Sequence, residues 1–590
     1  MATVATCLPW HRANRAVRHP CPTRNLPNCT GTATTTRTSA RTPRASRTRH
    51  RVADRSIGRA SAFIASGTIV SRLLGFVRSM VLAASLGVVG ASADAFSVGN
   101  GLSTIIFTIV AGGVLSAVVV PLIVRSASHA DGGGAYINKL VTLSIVLLAA
   151  AALIATLLAP ALTFVWGRTL APETFDLAVA FAYWCLPQIF FYGLYAILGE
   201  VLNARSSFGP YTWAPVVNNV VSIVGFAVFG LVFGFADEVN RTAGDWTIGM
   251  IALVGGTATL GIAVQALVLF VFWRRVGLHF RFDFRWRGVG LRSAGRMAGW
   301  TFGMLLLSTV AGIVQANVAG TASSAGAAAN AALEYAWLIF MLPHSIITMS
   351  IATAYFTRMS AHAAADRIAD VRADLSSAIR GIGTIIVLAE AVLITVAFPF
   401  AAVFEPRFAE SRALGWLVMA YGIGLLGFGV LFVVQRTFYA LGDTRTPFFI
   451  TIVQVSVFSL GSLAALALPA EYRAVGIALA TTLGSTVQVI VSLVVLRRRL
   501  GLLDGRRIAT AVVRSVAALI LPAAAGIGIV LALGVNVPGG FAIDSRWSAI
   551  VTMVLVGTVM SVLYFGGLWL LRSPEFRGFA EPVLARLRRR

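Results

Sequence analysis

The sequence predicts an all-α polytopic membrane protein with about fourteen transmembrane helices. Three observations carry that expectation. The composition is apolar and nearly free of charge, apolar runs of roughly twenty residues repeat along the chain, and the polar breaks between them alternate between basic and balanced.

Of the 590 residues, 57% are hydrophobic and 12% are charged. A soluble domain carries roughly 25% charged residues and could not cover so apolar an interior with polar groups. A formal net charge of +25 would suggest nucleic acid in a soluble protein. Here the charge is almost all arginine, with Lys139 the single lysine, and its placement explains it without nucleic acid. Cys7, Cys21 and Cys29 lie in a polar leader and Cys185 in an apolar run, so neither a disulfide framework nor a metal spacing is present.

Residues 1–55 are rich in Arg, Thr and Pro, nearly free of acids and without apolar period. They read as a disordered cytoplasmic tail or a start codon placed too early, with an organellar transit peptide as the alternative. Helices are then expected near 60–86, 95–124, 137–160, 176–199, 211–235, 247–273, 296–320, 330–357, 380–404, 413–440, 447–468, 475–496, 510–535 and 546–571. With fourteen spans, alternate loops share a side. One set holds Arg125, Lys139, Arg205, the run from Arg274 to Arg292, Arg358 to Arg380, Arg445 and Arg497 to Arg507, and both basic termini join it. In the other set Arg168, Arg241, Arg407, Arg412, Arg473 and Arg546 are mostly balanced by acids. The positive-inside rule puts both termini in the cytoplasm.

A weak internal repeat organises the spans. Asn203-Ala204-Arg205-Ser206-Ser207-Phe208-Gly209-Pro210 resembles Tyr439-Ala440-Leu441-Gly442-Asp443-Thr444-Arg445-Thr446-Pro447, and each opens a helix with Pro near its first turn. The offset of 236 to 237 residues carries the first helix onto the seventh. Six helices per half is an even number, so the halves insert in the same orientation, a transporter signature with the substrate site between them. The expected divisions are residues 56–275 and 276–500 for two six-helix lobes, 501–575 for two extra helices and 576–590 for a basic cytoplasmic tail.

The chemistry centres on Ser71-Arg72-Leu73-Leu74-Gly75-Phe76-Val77-Arg78. Arg72 lies about eleven residues into the first span, roughly 16 Å at 1.5 Å per residue, too deep for easy snorkelling. A mid-membrane arginine faces a wet cavity and meets an anion, and a guanidinium matches phosphate oxygens in a bidentate fork. An anionic, phosphate-bearing substrate is one reading. A structural ion pair with Asp94, at the start of the second helix, is the other, and an arginine could exchange Asp94 for substrate. The repeat offset sets Gln315 opposite Arg78. Arg292 and Arg296 either line a cytosolic mouth or serve as ordinary anchors. Glu390, His344 and Gln315 are isolated and read as hydrogen-bonded packing residues rather than coupling sites. Gly112-Gly113 permits close packing or bending, and Pro187, Pro215 and Pro343 predict kinks. No catalytic motif, metal site, cofactor site or nucleotide-binding domain is visible, so an enzyme is not expected and transport energy must come from ion or voltage gradients or from substrate consumption.

Taken together, Ser71-Arg72, Gly75-Phe76-Val77-Arg78, Ala93-Asp94-Ala95-Phe96, Gly112-Gly113-Val114-Leu115-Ser116 with Val120-Pro121, Leu202-Asn203 with Pro210 and Pro215, Tyr335-Ala336 with Leu342-Pro343, and Phe438-Tyr439-Ala440 through Pro447 resemble the MviN/MurJ family of lipid II flippases over roughly residues 57–500. The resemblance implies the multidrug/oligosaccharidyl-lipid/polysaccharide exporter fold. It implies a cationic cavity between the lobes, a lipid-tail groove at helices 13 and 14, and alternating access that moves a lipid-linked precursor to the outer leaflet. It carries over Arg72, Arg78 and Asp94 as functional positions. The chain departs from the family where many members have an Arg pair in helix 2 (here Ile106-Phe107-Thr108-Ile109), an acid after the second helix-1 arginine (here Ser79) and Asp-Arg in helix 8 (here Trp337-Leu338). The expected partners are the lipid-linked glycan and membrane lipids, with cell-wall synthesis or division proteins as further candidates, acting on a monomer in the inner membrane. Competing readings are export of another polyprenyl-linked polysaccharide and a non-transporting scaffold for cell-wall enzymes.

Overall fold

The computed structural model describes residues 45–112, 134–205, 207–239, 241–276, 280–284 and 295–578. The chain divides into two compact units, Met1–Phe63 and Ile64–Arg590. Only the start of α1 is described in the first, and the architecture that follows is that of the second. Among the described residues all regular structure is helical, and thirteen helices plus one bent pair are long and apolar enough to cross a membrane.

The first six spans are α1 (Ala45–Leu86, apolar from Ser66), α2 (Ala91–Val110), α3 (Gly134–Leu157) with the short α4 (Ala159–Gly167), the pair α5 (Pro172–Cys185) and α6 (Gln188–Ala204), α7 (Phe208–Phe233) and α8 (Ile248–Trp273). The next six are α9 (Gly295–Ser323), the pair α10 (Asn330–Pro343) and α11 (Met349–Ala364), α12 (Ile368–Thr395) with α13 (Ala397–Phe404), the pair α14 (Phe408–Gly422) and α15 (Leu425–Ala440), α16 (Arg445–Ala464) and α17 (Ala470–Leu500). Two more follow, α18 (Gly505–Ala532) and α19 (Arg546–Leu570). The expected spans are all found, though the second begins at Ala91 and is described only to residue 112.

The ninth helix starts twelve residues before the expected position of 380, at Ile368. Its polar first turns escaped an apolar-run criterion but are held by side chains. Asp374 pairs with Arg358 at 2.6 Å and faces His362 at 3.4 Å, both from the end of α11.

Three of the interrupted spans have an identifiable reason for the break. Pro187 separates α5 from α6, because proline cannot donate to the preceding turn. Pro343 leads into a π-helical turn, His344–Thr348, that joins α10 to α11. The tenth span bends by 45° between Gly422 and Leu425 with no proline at all. There the freed N–H of Leu426 donates to Glu390 Oε2 at 3.0 Å, so an acid of the neighbouring helix satisfies what the break exposes. Pro215 lies inside α7.

Small residues set the helix distances, as expected where lipid provides no hydrophobic drive for association. Gly99 brings α2 so close to α5 that an added Cβ would meet the Ala178 carbonyl at 2.7 Å. Gly112, in the π-helical turn just past α2, lies against α9, where a Cβ would stand 2.9 Å from the end of the Leu305 side chain; Gly113 lies outside the described residues. Helices α2 to α8 pack mainly on one another, and α9 to α17 do the same around the largest apolar cluster. Helices α18 and α19 lie against α12, where Tyr564 donates to the Thr384 carbonyl at 2.7 Å.

Candidate functional site

Helix α1 is pinned between the two halves before its arginines are considered. On one side Asn219 of α7 donates to the Ser71 carbonyl at 2.9 Å. On the other, the Phe76 ring meets Phe404 and Phe400 of α13 edge-on at 5.3 and 5.9 Å. The arginines on either side of Phe76 are therefore held at the seam. Six residues apart on a helix, they point in different directions.

Arg78 is half-buried. Its charge acts on Cys185 and Tyr192 of the fourth span and on Tyr335 of α10, which places it where the first, fourth and eighth spans meet. Among the described residues no carboxylate pairs with it. A guanidinium inside a span is costly without a partner, and water or an anion beside it would satisfy it. Arg72 is exposed, and its guanidinium donates to the Ser345 carbonyl at 3.1 Å, in the π-helical turn of the eighth span.

Asp94 departs from the ion-pair expectation. It is fully buried, and its partners are not arginines. Oδ2 accepts from the Ser323 hydroxyl at 2.6 Å, at the end of α9, and Oδ1 accepts from the Ala331 N–H at 2.9 Å, in the first turn of α10. The N-cap of α10 is Ala329, which has no side-chain oxygen. Asp94 thus caps, from the other half of the chain, a helix that cannot cap itself, and its charge complements the positive end of the helix dipole.

This cap belongs to a wider seal. Thr169 donates to the Asn317 carbonyl at 2.6 Å, and Asn317 donates back to the Val165 carbonyl at 2.8 Å. A cavity of about 530 Å³ lies on the same loop face, lined by Leu86, Ser92, Glu173, Arg241 and Arg407 among others, and neither Arg72 nor Arg78 reaches it. Its cations are committed. Arg407 pairs with Glu405 at 2.9 Å and Glu410 at 3.3 Å, and chiefly the Glu405 bond holds its guanidinium above the usual range. Arg241 donates to the carbonyls of Phe233 and Gly234.

Gln315 is half-exposed on α9, just before the Asn317 contact. Arg292 lies outside the described residues. His344 is packed between the Phe428 and Phe432 rings at 4.6 and 5.3 Å. Two charged residues of the seam escaped the sequence reading. Glu334 on α10 is exposed although Leu333 and Tyr335 beside it are buried, and its Oε1 lies 4.0 Å from where a Cβ on Gly101 of α2 would stand. It therefore faces open space between the halves. Arg436 is half-buried on α15, over the rings of Phe432 and Phe356. Both are charges inside expected spans, the signal that singled out Arg72. Among the described residues no group of His, Cys, Asp and Glu could hold a metal ion.

The family profile described as Lipid II flippase MurJ matches residues 82–536. A probable lipid II flippase MurJ of Rhizobium tropici is 26% identical over 74% of this chain and 80% of its own length. One from Synechocystis is 26% identical over 69% and 74%. Among solved structures, a lipid II flippase MurJ in an inward closed conformation superposes with a TM-score of 0.63 at 18% identity, over 86% of this chain and 99% of that one. An inward-facing multidrug resistance MATE family transporter of the MOP superfamily gives 0.57 at 17% identity, over 74% and 96%, which shows a shared fold.

Proposed function

The chain belongs to the family of lipid II flippases called MurJ, and from that premise we propose that it carries an undecaprenyl-diphosphate-linked peptidoglycan precursor, lipid II, from the inner to the outer leaflet by alternating access. The observation that carries the reading is Arg78: a half-buried cation at the meeting of three spans, with no carboxylate paired to it among the described residues. A diphosphate supplies the missing anion, and the bidentate fork of arginine suits it.

In this reading the chain sits in the cytoplasmic membrane with both termini in the cytoplasm. Residues 56–275 and 276–500 act as two lobes, and α18 and α19 offer the groove for the lipid tail. The Asp94 clasp and the Thr169–Asn317 contacts then lie on the outer side, so the conformation described is closed outward. Alternation requires that these contacts part while the cytosolic side closes. Arg72 and Arg78 hold the diphosphate, and Gln315 and Arg292 take lesser parts along the path. No chemical step is needed, because the cargo changes leaflet and not covalent structure.

The test is complementation in cells depleted of their own lipid II flippase, with membrane expression checked for each variant. Wild type restores growth, and a well-expressed Arg78→Ala does not. Rescue by Arg78→Ala removes the anion site from the mechanism. Failure of a well-expressed wild type points to a different polyprenyl-linked cargo or to a scaffold.

A further inference from the structure

We propose that Arg436 is a further anion contact, offered by the C-terminal half to the phosphate groups of the substrate along the path on which Arg72 and Arg78 stand; this rests on the flippase reading above. Phe428, Phe432 and Arg436 recur every four residues and so form one stripe of α15. That stripe faces the eighth span. The Phe428 and Phe432 rings meet His344, and the Arg436 guanidinium lies 4.9 Å from the Phe432 ring centroid and 5.3 Å from that of Phe356 on α11. Phe356 is only partly covered, and its neighbours Thr353 and Thr357 are exposed. Arg436 therefore sits at the edge where a packed helix seam opens into space. The same span receives Arg72, whose guanidinium rests on Ser345. Cations from both halves thus lie along the eighth span, Arg72 at Ser345 and Arg436 eleven residues on at Phe356, roughly 16 Å further along the axis.

The partners of other arginines in this half sharpen the point. Arg358 has Asp374, Arg380 has Glu575 and Arg499 has Asp443. Among the described residues Arg436 pairs with no carboxylate, and the titratable group that acts on it is the phenol Tyr439. An ordinary membrane anchor four residues from a helix end, roughly 6 Å along the axis, extends toward water. This one is folded back over two rings. The guanidinium carbon lies over both rings, and among the described residues no carboxylate takes its N–H groups, which suit a phosphate bidentately.

The experiment uses the full chain in lipid nanodiscs and measures binding of undecaprenyl diphosphate, with uncharged undecaprenol as the control. Arg436→Gln is expected to weaken the diphosphate about tenfold or more while undecaprenol binding and Tm stay unchanged. Arg436→Lys, which keeps charge without the fork, is expected to fall between. The inference is overturned if Arg436→Gln binds the diphosphate like wild type while Arg78→Gln does not, since Arg436 is then only an anchor. It is equally overturned if Arg436→Gln loses diphosphate and undecaprenol alike, which marks a packing role. A wild type that does not distinguish the diphosphate from undecaprenol overturns both this inference and the flippase reading.

Discussion

Replacing Asp94 by alanine removes both acceptors from the clasp at once. The Ser323 hydroxyl and the Ala331 N–H each lose a charge-assisted bond, the first partly and the second fully buried. Such bonds contribute about 1.5–3 kcal/mol each, and losing an N-cap costs about 1 kcal/mol in typical cases. The effects overlap, so about 3 kcal/mol is a reasonable total for the sealed conformation. In a conformation where the seam has parted, Asp94 and the donors are free to meet water, and the substitution costs little. The sealed-to-parted ratio should then fall roughly a hundredfold, so that about 100:1 becomes near 1:1. The assay is the distance between spin labels at Val239→Cys and Ala325→Cys, two exposed positions on opposite sides of the seam, with Cys7, Cys21 and Cys29 replaced by serine. The buried Cys185 can remain. Asp94→Ala should add a long-distance population. Asp94→Asn keeps one carbonyl oxygen for the Ala331 N–H, so it should lie between the two. An Asp94→Ala distribution identical to wild type would refute the clasp as a determinant of this seal.

Two further expectations follow from local geometry. Gly99→Ala forces a methyl group to within 2.7 Å of the Ala178 carbonyl and 3.0 Å of the Ala182 nitrogen, which is backbone and cannot swing away; a loss of about 1–3 kcal/mol should appear as a lower Tm in detergent, and an unchanged Tm would show that α2 shifts freely. In the turn after the tenth span, burial pushes the Asp443 carboxyl up, but the Thr446 hydroxyl and N–H and the Arg499 guanidinium more than offset this and hold it below its usual value of 3.8. A depressed carboxylate gives stability that is present above the unfolded pKa and lost as pH falls through the folded one. The Tm advantage of wild type over Asp443→Asn, about 1 kcal/mol for this partly exposed pair, should therefore persist at neutral pH and vanish in acid below pH 4; a gap that is constant with pH would contradict the assignment.

The spans were legible because the bilayer demands a length of apolar helix and the sequence supplies it fourteen times. The interruption at Pro187 was legible for a similar reason, since one residue type carries its cause. The bend at Gly422–Leu425 was not. Its glycines are two among 56, and what stabilises it is Glu390, whose acid had no visible partner because the partner is a backbone N–H. Asp94 hid for the same reason. An arginine in the neighbouring span looked like its match, whereas the real donors are a hydroxyl and a main-chain amide far along the chain. Side-chain charge is written in the sequence; the unsatisfied ends of helices are written only in the fold. Glu334 and Arg436 were open to reading as charges inside spans, but each stands near a span end, where topology already accounts for charge.

The separation of Asp94 from its donors, 229 and 237 residues, has a consequence for biogenesis. The second span enters the bilayer long before α9 and α10 exist. At a synthesis rate of about 5–20 residues per second, its carboxyl waits on the order of ten seconds or more for its partners. During that wait a lone acid in hydrocarbon is neutralised by a proton or kept at the wet edge of the membrane. The nascent N-terminal half is therefore an unfinished object with a polar blemish. That blemish is relieved only when the seventh and eighth spans arrive with the Ser323 hydroxyl and the Ala331 N–H.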